Sequence, residues 1–330
     1  LAYQGLFDAG TMQELHLPDQ LWSPEGLEFY GQLSFVKGGI MYADHITTVS
    51  PTYAREIQTP EFGCGLENAL SLRADRLSGI LNGIDDELWN PATDPYLGTN
   101  YDRKHFAKKV QNKADLQKEA RFEVAADIPI IAQVSRLVHQ KGIDLVIEAL
   151  HRLITKQARF QYVVLGNGET EFETGLMELA EKYPDQVFAM IGYDEVHAHQ
   201  IVAGSDMYLM PSRFEPCGLT QLFSLRYGTV PIAHDVGGLV DTVVDASVEN
   251  LDVGVATGFL FEDETVDDLV HAIERGLQMY KEQKLWRKLA RNGMVQNFSW
   301  DSSVNQYLNL YDSLLPLRTW QHAEEIVAES

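Results

Sequence analysis

The sequence predicts an α/β protein with a Rossmann-like parallel sheet covered by helices on both faces. Three observations lead there. From residue 128 onward, short apolar runs rich in β-branched residues alternate with amphipathic helical stretches, the pattern of parallel strands joined by crossover helices. The turns that close those runs carry cations, a carboxylate or paired glycines, and open parallel sheets bind ligands at such carboxyl ends. Finally, 330 residues, 45% hydrophobic and 22% charged, are enough for two domains with sizeable cores.

Residues 1–34 mix aromatic and polar side chains without a clean period. Phe35 to Ala43 reads as a helix and Ile46 to Val49 as a short strand. Ser50 as N-cap with Pro51 at the first helical position starts a helix over Thr52 to Ile57. Gly63-Cys64-Gly65 breaks the chain, and Leu77 to Leu81 is a strand closed by the turn Asn82-Gly83. Residues 84–101, rich in Asp, Asn, Pro and Gly, read as an interdomain linker. A charged helix follows over Lys104 to Val124, and then the alternation begins. Strands Ile128–Val134, Tyr162–Leu165, Val187–Ile191, Met207–Met210 and Val230–Ala233 are separated by helices Gly142–Leu153, Glu171–Lys182, His197–Gly204 and one beginning after Gly218. Residues 265–312 read as helical, and 313–330 as an acidic tail or a further helix.

A formal net charge of −22, with 26 Lys and Arg against 48 Asp and Glu, argues against nucleic acid or an anionic membrane as partner. Phosphate backbones require clustered cations. No apolar run reaches the length of a membrane span. Cys64 and Cys217, far apart, make no disulfide framework, which points to a reducing, cytoplasmic setting. The opening at Leu1, within sequence that reads as structured, suggests a fragment.

The stretch that organises the chain is Met210-Pro211-Ser212-Arg213-Phe214-Glu215-Pro216-Cys217-Gly218-Leu219-Thr220-Gln221. It sets Glu215 on a strand-to-helix turn, beside the first backbone N–H groups of a helix around Gly218, Leu219 and Thr220. Those groups suit an anion. A carboxylate there is electrostatically unfavourable unless the ligand also presents hydroxyls, as a sugar joined to a diphosphate does. The alternative is a surface turn with a solvated Glu. After strand Ile128–Val134, the cations Arg136 and Lys141 can converge on a diphosphate and neutralise leaving-group charge; the alternative is a solvated basic loop. Gly166-Asn167-Gly168 lacks the third glycine of a dinucleotide fingerprint and reads as a tight turn. Tyr193 ends another strand, where its ring can stack on a base or merely pack. Gly237-Gly238 permits close backbone approach to a ligand. His139, His197, His199 and His234 show no metal-ligand spacing, and no Asp-x-Asp occurs. Taken together, these strand ends read as one nucleotide-diphosphate-sugar site.

Val134-Ser135-Arg136-Leu137, Gln140-Lys141-Gly142-Ile143-Asp144-Leu145 and the run from Pro211 to Gln221 resemble the bacterial glycogen synthases, ADP-glucose-using relatives of plant starch synthases. Leu1-Ala2-Tyr3-Gln4-Gly5, Phe35-Val36-Lys37-Gly38-Gly39, Asn82-Gly83-Ile84-Asp85 and Trp89-Asn90-Pro91 are similar as well. The resemblance implies a two-lobed glycosyltransferase B fold whose N-terminal lobe is incomplete here, and a metal-independent, cofactor-free, retaining glucosyl transfer. The donor would be ADP-glucose and the acceptor an α-1,4-glucan, glycogen. It implies that residues 1–83 belong to the acceptor-side lobe, that 102–300 form the nucleotide-sugar lobe, and that 301–330 cross back to the first. Arg136 and Lys141 would hold the diphosphate, Glu215 would face the glucose, and Tyr193 would stack on adenine. Cys217, Gly218, Leu219, Thr220, Gly237 and Gly238 would meet glucose and phosphates.

Departures from the family pattern temper this. Its Lys-x-Gly-Gly loop and the His ahead of the first matched segment are absent. Phe223 stands eight positions after Glu215, where many retaining relatives carry a second Glu that synthases of this family commonly lack, so it fits the resemblance; Val236, by contrast, replaces a usual Thr. Two other readings stay open: a B-fold transferase that uses a UDP-sugar, or a truncated nucleotide- or glucan-binding fragment that does not turn over.

Overall fold

The computed structural model describes residues 1 and 4–315. The chain divides into two compact units, residues 1–83 with the helix that starts at Trp300, and Ile84–Ser299.

The first unit opens with a small antiparallel sheet that the aperiodic start of the sequence did not reveal. Strands β1 (Leu6–Phe7), β2 (Glu28–Phe29) and β3 (Gln32–Ser34) lie in the order β1-β3-β2, with helix α1 (Thr11–Glu14) between the first two in sequence. Tyr30 and Gly31, at φ +50° and +80°, make the two-residue turn of the β2–β3 hairpin. Helix α2 (Phe35–Tyr42) starts where the Ser34 hydroxyl accepts from the Lys37 N–H. Strand β4 (Ile46–Thr48) pairs in parallel with β5 (Leu77–Gly79). Between them come α3 (Pro51–Glu56), capped by Ser50 with Pro51 first as the sequence predicts, and α4 (Glu67–Ser71), which it did not. Ile40, Tyr53, Ile57, Leu66 and Leu70 form the core of this part. Leu1 packs against it; Ala2 and Tyr3, part of the resemblance, lie outside the described residues.

In the second unit, α5 (Lys109–Glu119) is shorter than the helix predicted over Lys104 to Val124. A 3-10 turn over Phe106–Lys108 precedes it, and Arg121 at φ +59° follows it. Then come β6 (Ile130–Val134), α6 (Ile143–Thr155), β7 (Gln161–Gly166), α7 (Thr170–Lys182), β8 (Val187–Ile191), α8 (Glu195–Gly204), β9 (Met207–Met210), α9 (Thr220–Arg226) and β10 (Val230–His234). The segment after β10 holds three elements that the alternation did not reveal: α10 (Gly237–Thr242), α11 (Val248–Val253) and β11 (Phe259–Phe261). The predicted helical block 265–312 is three helices, α12 (Val266–Tyr280), α13 (Gln283–Gly293) and α14 (Trp300–Leu314). The predicted tail 313–330 lies outside the described residues from 316 onward.

Six strands form one parallel sheet in the order β11-β10-β9-β6-β7-β8. Every residue of β7, β9 and β10 is buried, which is why these runs show no alternation in sequence. Helix α6 buries Ile143, Leu145, Val146, Ala149, Leu150, Leu153 and Ile154, a 3.6-residue stripe in which each large side chain is worth about 1.5–3 kcal/mol.

Residues 84–101, which composition reads as a linker, are part of this second unit. Asp94 and Tyr101 are buried in it. The Trp89 ring is stacked between His199, centroids 3.7 Å apart, and Phe223, 3.8 Å apart. The Asn and Asp that suggest a linker here make Asx turns instead, such as Ala92 N–H to Asn90 Oδ1 and Tyr96 N–H to Asp94 Oδ1. Helix α14 belongs to the first unit, where the Ser303 hydroxyl donates to the Leu81 carbonyl at 2.6 Å. No helix among the described residues is long and apolar enough to cross a membrane.

Candidate active site at the sheet switch point

In sequence order the strands run outward from β6 to β7 and β8, then return to the other side of β6 with β9, β10 and β11. The chain therefore reverses direction between β6 and β9, and open α/β sheets place their crevice at such a point. The ladder between these strands is short, pairing only Ile131 with Met207 and Ala132 with Tyr208. Beyond it the Tyr208 hydroxyl stands in for the missing partner, donating to the Val134 carbonyl at 2.8 Å and accepting from the Val134 N–H at 3.0 Å. The two loops that leave β6 and β9 flank this opening.

They carry Lys141 and Glu215. The Lys141 ammonium donates to Glu215 Oε2, and the Ser212 hydroxyl donates to the same oxygen at 2.9 Å. Both residues are largely buried, with Glu215 only 7% exposed and the Lys141 side chain 17%. A buried carboxylate needs such compensation. Oε1 of Glu215 accepts no hydrogen bond from the described residues. Ser212 is held in turn by His234 at the end of β10, whose Nδ1 donates to its carbonyl at 2.8 Å.

The loops are stitched on either side of the ion pair. The Arg213 N–H donates to the Gln140 carbonyl at 2.9 Å, and Gln140 Nε2 to the Phe214 carbonyl at 2.6 Å. The Arg213 guanidinium forms a two-pronged bridge to Asp144, 2.8 Å on each arm, and also reaches Glu264 at 2.6 Å. Burial pushes the Asp144 carboxyl up, but the Arg213 hydrogen bonds and charge outweigh it and hold the group below its usual range. Gly142 is in the left-handed region at φ +66°, and a Cβ there would sit 2.2 Å from the Pro211 carbonyl oxygen. Gly142→Ala is expected to cost at least the roughly 1–2 kcal/mol of a left-handed L-residue, and to push the Lys141 loop off the Glu215 turn. Urea unfolding checks the first effect; a variant as stable as the parent would contradict it.

The other sequence-predicted residues are distributed around this pair. Arg136 is exposed, and its Nη2 donates to Gln140 Oε1 at 3.2 Å. Cys217 is buried, Leu219 is 41% exposed, and the Thr220 hydroxyl lies 3.5 Å from Met210 Sδ as the first residue of the seven-residue α9. Gly218, at φ +70°, makes the turn before it. Gly237 and Gly238 are buried, and the close approach they permit is to the Glu215 turn itself. The Gly238 N–H donates to the Glu215 carbonyl at 3.0 Å, and a Cβ on Gly238 would sit 2.2 Å from the Cys217 carbonyl oxygen. Tyr193 is not brought to the pair. It is 83% exposed beyond β8, two strands from β6, roughly 10 Å at the usual strand spacing. Among the described residues no group of three or more His, Cys, Asp or Glu could hold a metal ion.

Sequence reasoning missed Asp144, Gln140, Ser212, Arg213 and His234. Ser212 and Arg213 stood inside the singled-out stretch and Asp144 inside a quoted motif. Opposite charges at Arg213 and Asp144 were the one available signal, and nothing in sequence says that their loops are neighbours.

The parallel sheet with its Lys–Glu pair at the switch point fits the glycosyltransferase B fold, the fold of its structural neighbours. More narrowly, the chain belongs to the glycosyl transferases group 1 family, whose model matches residues 116–293, while the starch synthase catalytic domain model matches residues 1–72. It is 50% identical over 315 residues to glycogen synthase 2 of Nitrosococcus oceani, covering 96% of this chain and 64% of that protein. It is 51% identical to glycogen synthase 1 of Methylococcus capsulatus, with the same coverage. The catalytic domain of starch synthase IV from Arabidopsis thaliana, solved with ADP and acarbose, superposes with a TM-score of 0.88 at 36% identity, covering 94% of this chain and 65% of that one. The chain thus spans just under two thirds of the length of these relatives. They are the proteins that its motifs resemble.

Proposed function

We propose that the protein is a retaining glucosyltransferase that extends an α-1,4-glucan, glycogen, from ADP-glucose, and that residues 84–299 hold the donor. The observation that carries this is the meeting of Lys141 and Glu215 at the switch point between β6 and β9. Transfer breaks the bond between glucose C1 and the diphosphate, so positive charge grows on the sugar and negative charge on the departing ADP. An ammonium has three hydrogens. Lys141 can therefore keep its bond to Glu215 while its other two meet the diphosphate, with Arg136 at the rim as a second cation. Oε1 of Glu215 is left to accept from a glucosyl hydroxyl and to face the growing positive charge. The span from Lys141 to Tyr193, across β6, β7 and β8, suits a nucleotide laid along the strand ends with its base towards Tyr193. The names of the glycogen synthase relatives, and the ADP in the starch synthase structure, support the donor and acceptor chosen. The proposed compartment is the cytoplasm, consistent with two cysteines that form no disulfide.

The test is glucose incorporation into glycogen from ADP-glucose and from UDP-glucose, by the protein extended to the length of its curated relatives. Incorporation from UDP-glucose alone would overturn the donor assignment, and none from either would overturn the reaction. In that enzyme Lys141→Ala is expected to lower kcat by the roughly 2.7–4 kcal/mol of one preorganised electrostatic donor, and to weaken ADP-glucose binding less, because leaving-group charge grows only towards the transition state. A raised KM with unchanged kcat would reduce Lys141 to a ground-state contact.

A further inference from the structure

We infer that Arg213 is a positioning residue, a staple that sets Lys141 against the diphosphate by pinning the β6 loop to the Glu215 turn. This rests on the proposed function, since it assumes that Lys141 meets the donor's diphosphate. The need for a staple follows from the sheet. The β6–β9 ladder ends at Ala132 and Tyr208, nine positions before Lys141 and seven before Glu215. Backbone pairing between the strands therefore does not fix how the two loops stand to each other. Arg213 does, and from both ends. Its N–H holds the Gln140 carbonyl, its Nη1 reaches the His139 carbonyl at 2.5 Å, and its two-pronged bridge grips Asp144 at the start of α6. These contacts lie on both sides of Lys141 in sequence. Glu264, ahead of α12, fixes the guanidinium from a third direction. The Arg213 side chain is only 14% exposed and engaged on both arms and at Nε, so it acts through the loop and does not touch the donor itself. A planar fork performs this; an ammonium at the same place does not.

The experiment is titration calorimetry of ADP and of AMP on the 330-residue chain, read as the ratio of the two affinities. That ratio isolates the terminal phosphate. Arg213→Ala is expected to lower it about tenfold, the change that 1.4 kcal/mol carries, by weakening ADP while leaving AMP nearly unchanged. Arg213→Lys should restore little of the loss. Asp144→Asn should reproduce it, and the double variant should lose no more than either single one, because both remove one bridge. Should Arg213→Ala not fold, the Asp144→Asn ratio decides alone. Equal weakening of ADP and AMP, or an unchanged ratio, would overturn the staple. If Lys141→Ala itself leaves the ratio unchanged, or if the parent chain binds no ADP, the proposed function fails first. A ratio lowered by Lys141→Ala but not by Arg213→Ala would sink the staple alone.

Discussion

Glu215→Gln is expected to lower kcat by at least about two to three orders of magnitude, the scale of losing one preorganised electrostatic group, while ADP-glucose binds as well as before or more tightly. The structure gives the reason for the second half. In the parent, Lys141 shares its charge with Glu215. Gln keeps the shape and can still accept from Ser212, but it no longer neutralises the ammonium, whose full charge becomes available to the diphosphate. The ground state therefore gains while the transition state, with positive charge developing on the sugar, loses its counter-charge. Initial rates of glycogen elongation, with the Kd of ADP-glucose measured separately, make the comparison in the enzyme extended to the length of its relatives. Near-parent turnover in Glu215→Gln, with a loss only in Glu215→Ala, would make Glu215 a hydroxyl-positioning group. Near-parent turnover in both would remove it from the reaction.

Asp94→Ala is expected to destabilise the second unit by about 3–5 kcal/mol, the usual consequence of breaking a buried, hydrogen-bonded charged group away from its partners. Asp94 is 1% exposed. Its Oδ2 accepts from the Tyr227 hydroxyl and His199 Nδ1, at 2.5 and 2.8 Å, and its Oδ1 from the Tyr96 N–H at 2.9 Å. Truncation leaves the ring nitrogen and the hydroxyl with only their long mutual contact, 3.4 Å, beneath the Trp89 stack. Burial pushes the Asp94 carboxyl up, and the bonds from His199, Tyr227 and Tyr96 outweigh it, so the group titrates below its ordinary value. A carboxyl lowered on folding contributes stability that is present above its unfolded pKa and is lost as pH falls through the folded one. The parent should thus lose stability below about pH 4 in part through Asp94, and Asp94→Asn should flatten that acid limb. Urea unfolding of parent and variants between about pH 3 and pH 7 measures both. A loss under about 0.5 kcal/mol, the size of an ordinary surface change, would show that this cluster is not structural.

The particular residues show what was legible. Glu215 and Lys141 were found because a carboxylate and a cation at the carboxyl ends of apolar runs are unusual in local sequence. What the loops would do to each other was not legible. The 84–101 segment misled for a related reason. Turn residues such as Asn90, Asp94 and Gly98 look alike whether the turn faces water or packs on a neighbour, and only Trp89 and Tyr101 hinted at burial. The diglycine at 237–238 suggests room for a ligand, and only the fold shows that the backbone of Cys217 closes on Gly238.

By itself the sequence determined the apolar runs that become strands β6 to β10, the N-cap Ser50 with Pro51 first in its helix, and the residue types at each strand end, because these depend on neighbours within a few positions of the chain. Tertiary structure decided the rest. The lateral order of strands is set by how crossover helices pack on the two faces, not by local pattern, so only the folded sheet puts β9 beside β6 and makes their carboxyl ends one crevice. The same ordering leaves Tyr193 two strands away from Lys141. It also turns Arg213 and Asp144, 69 positions apart, into the bridge that holds the two loops together.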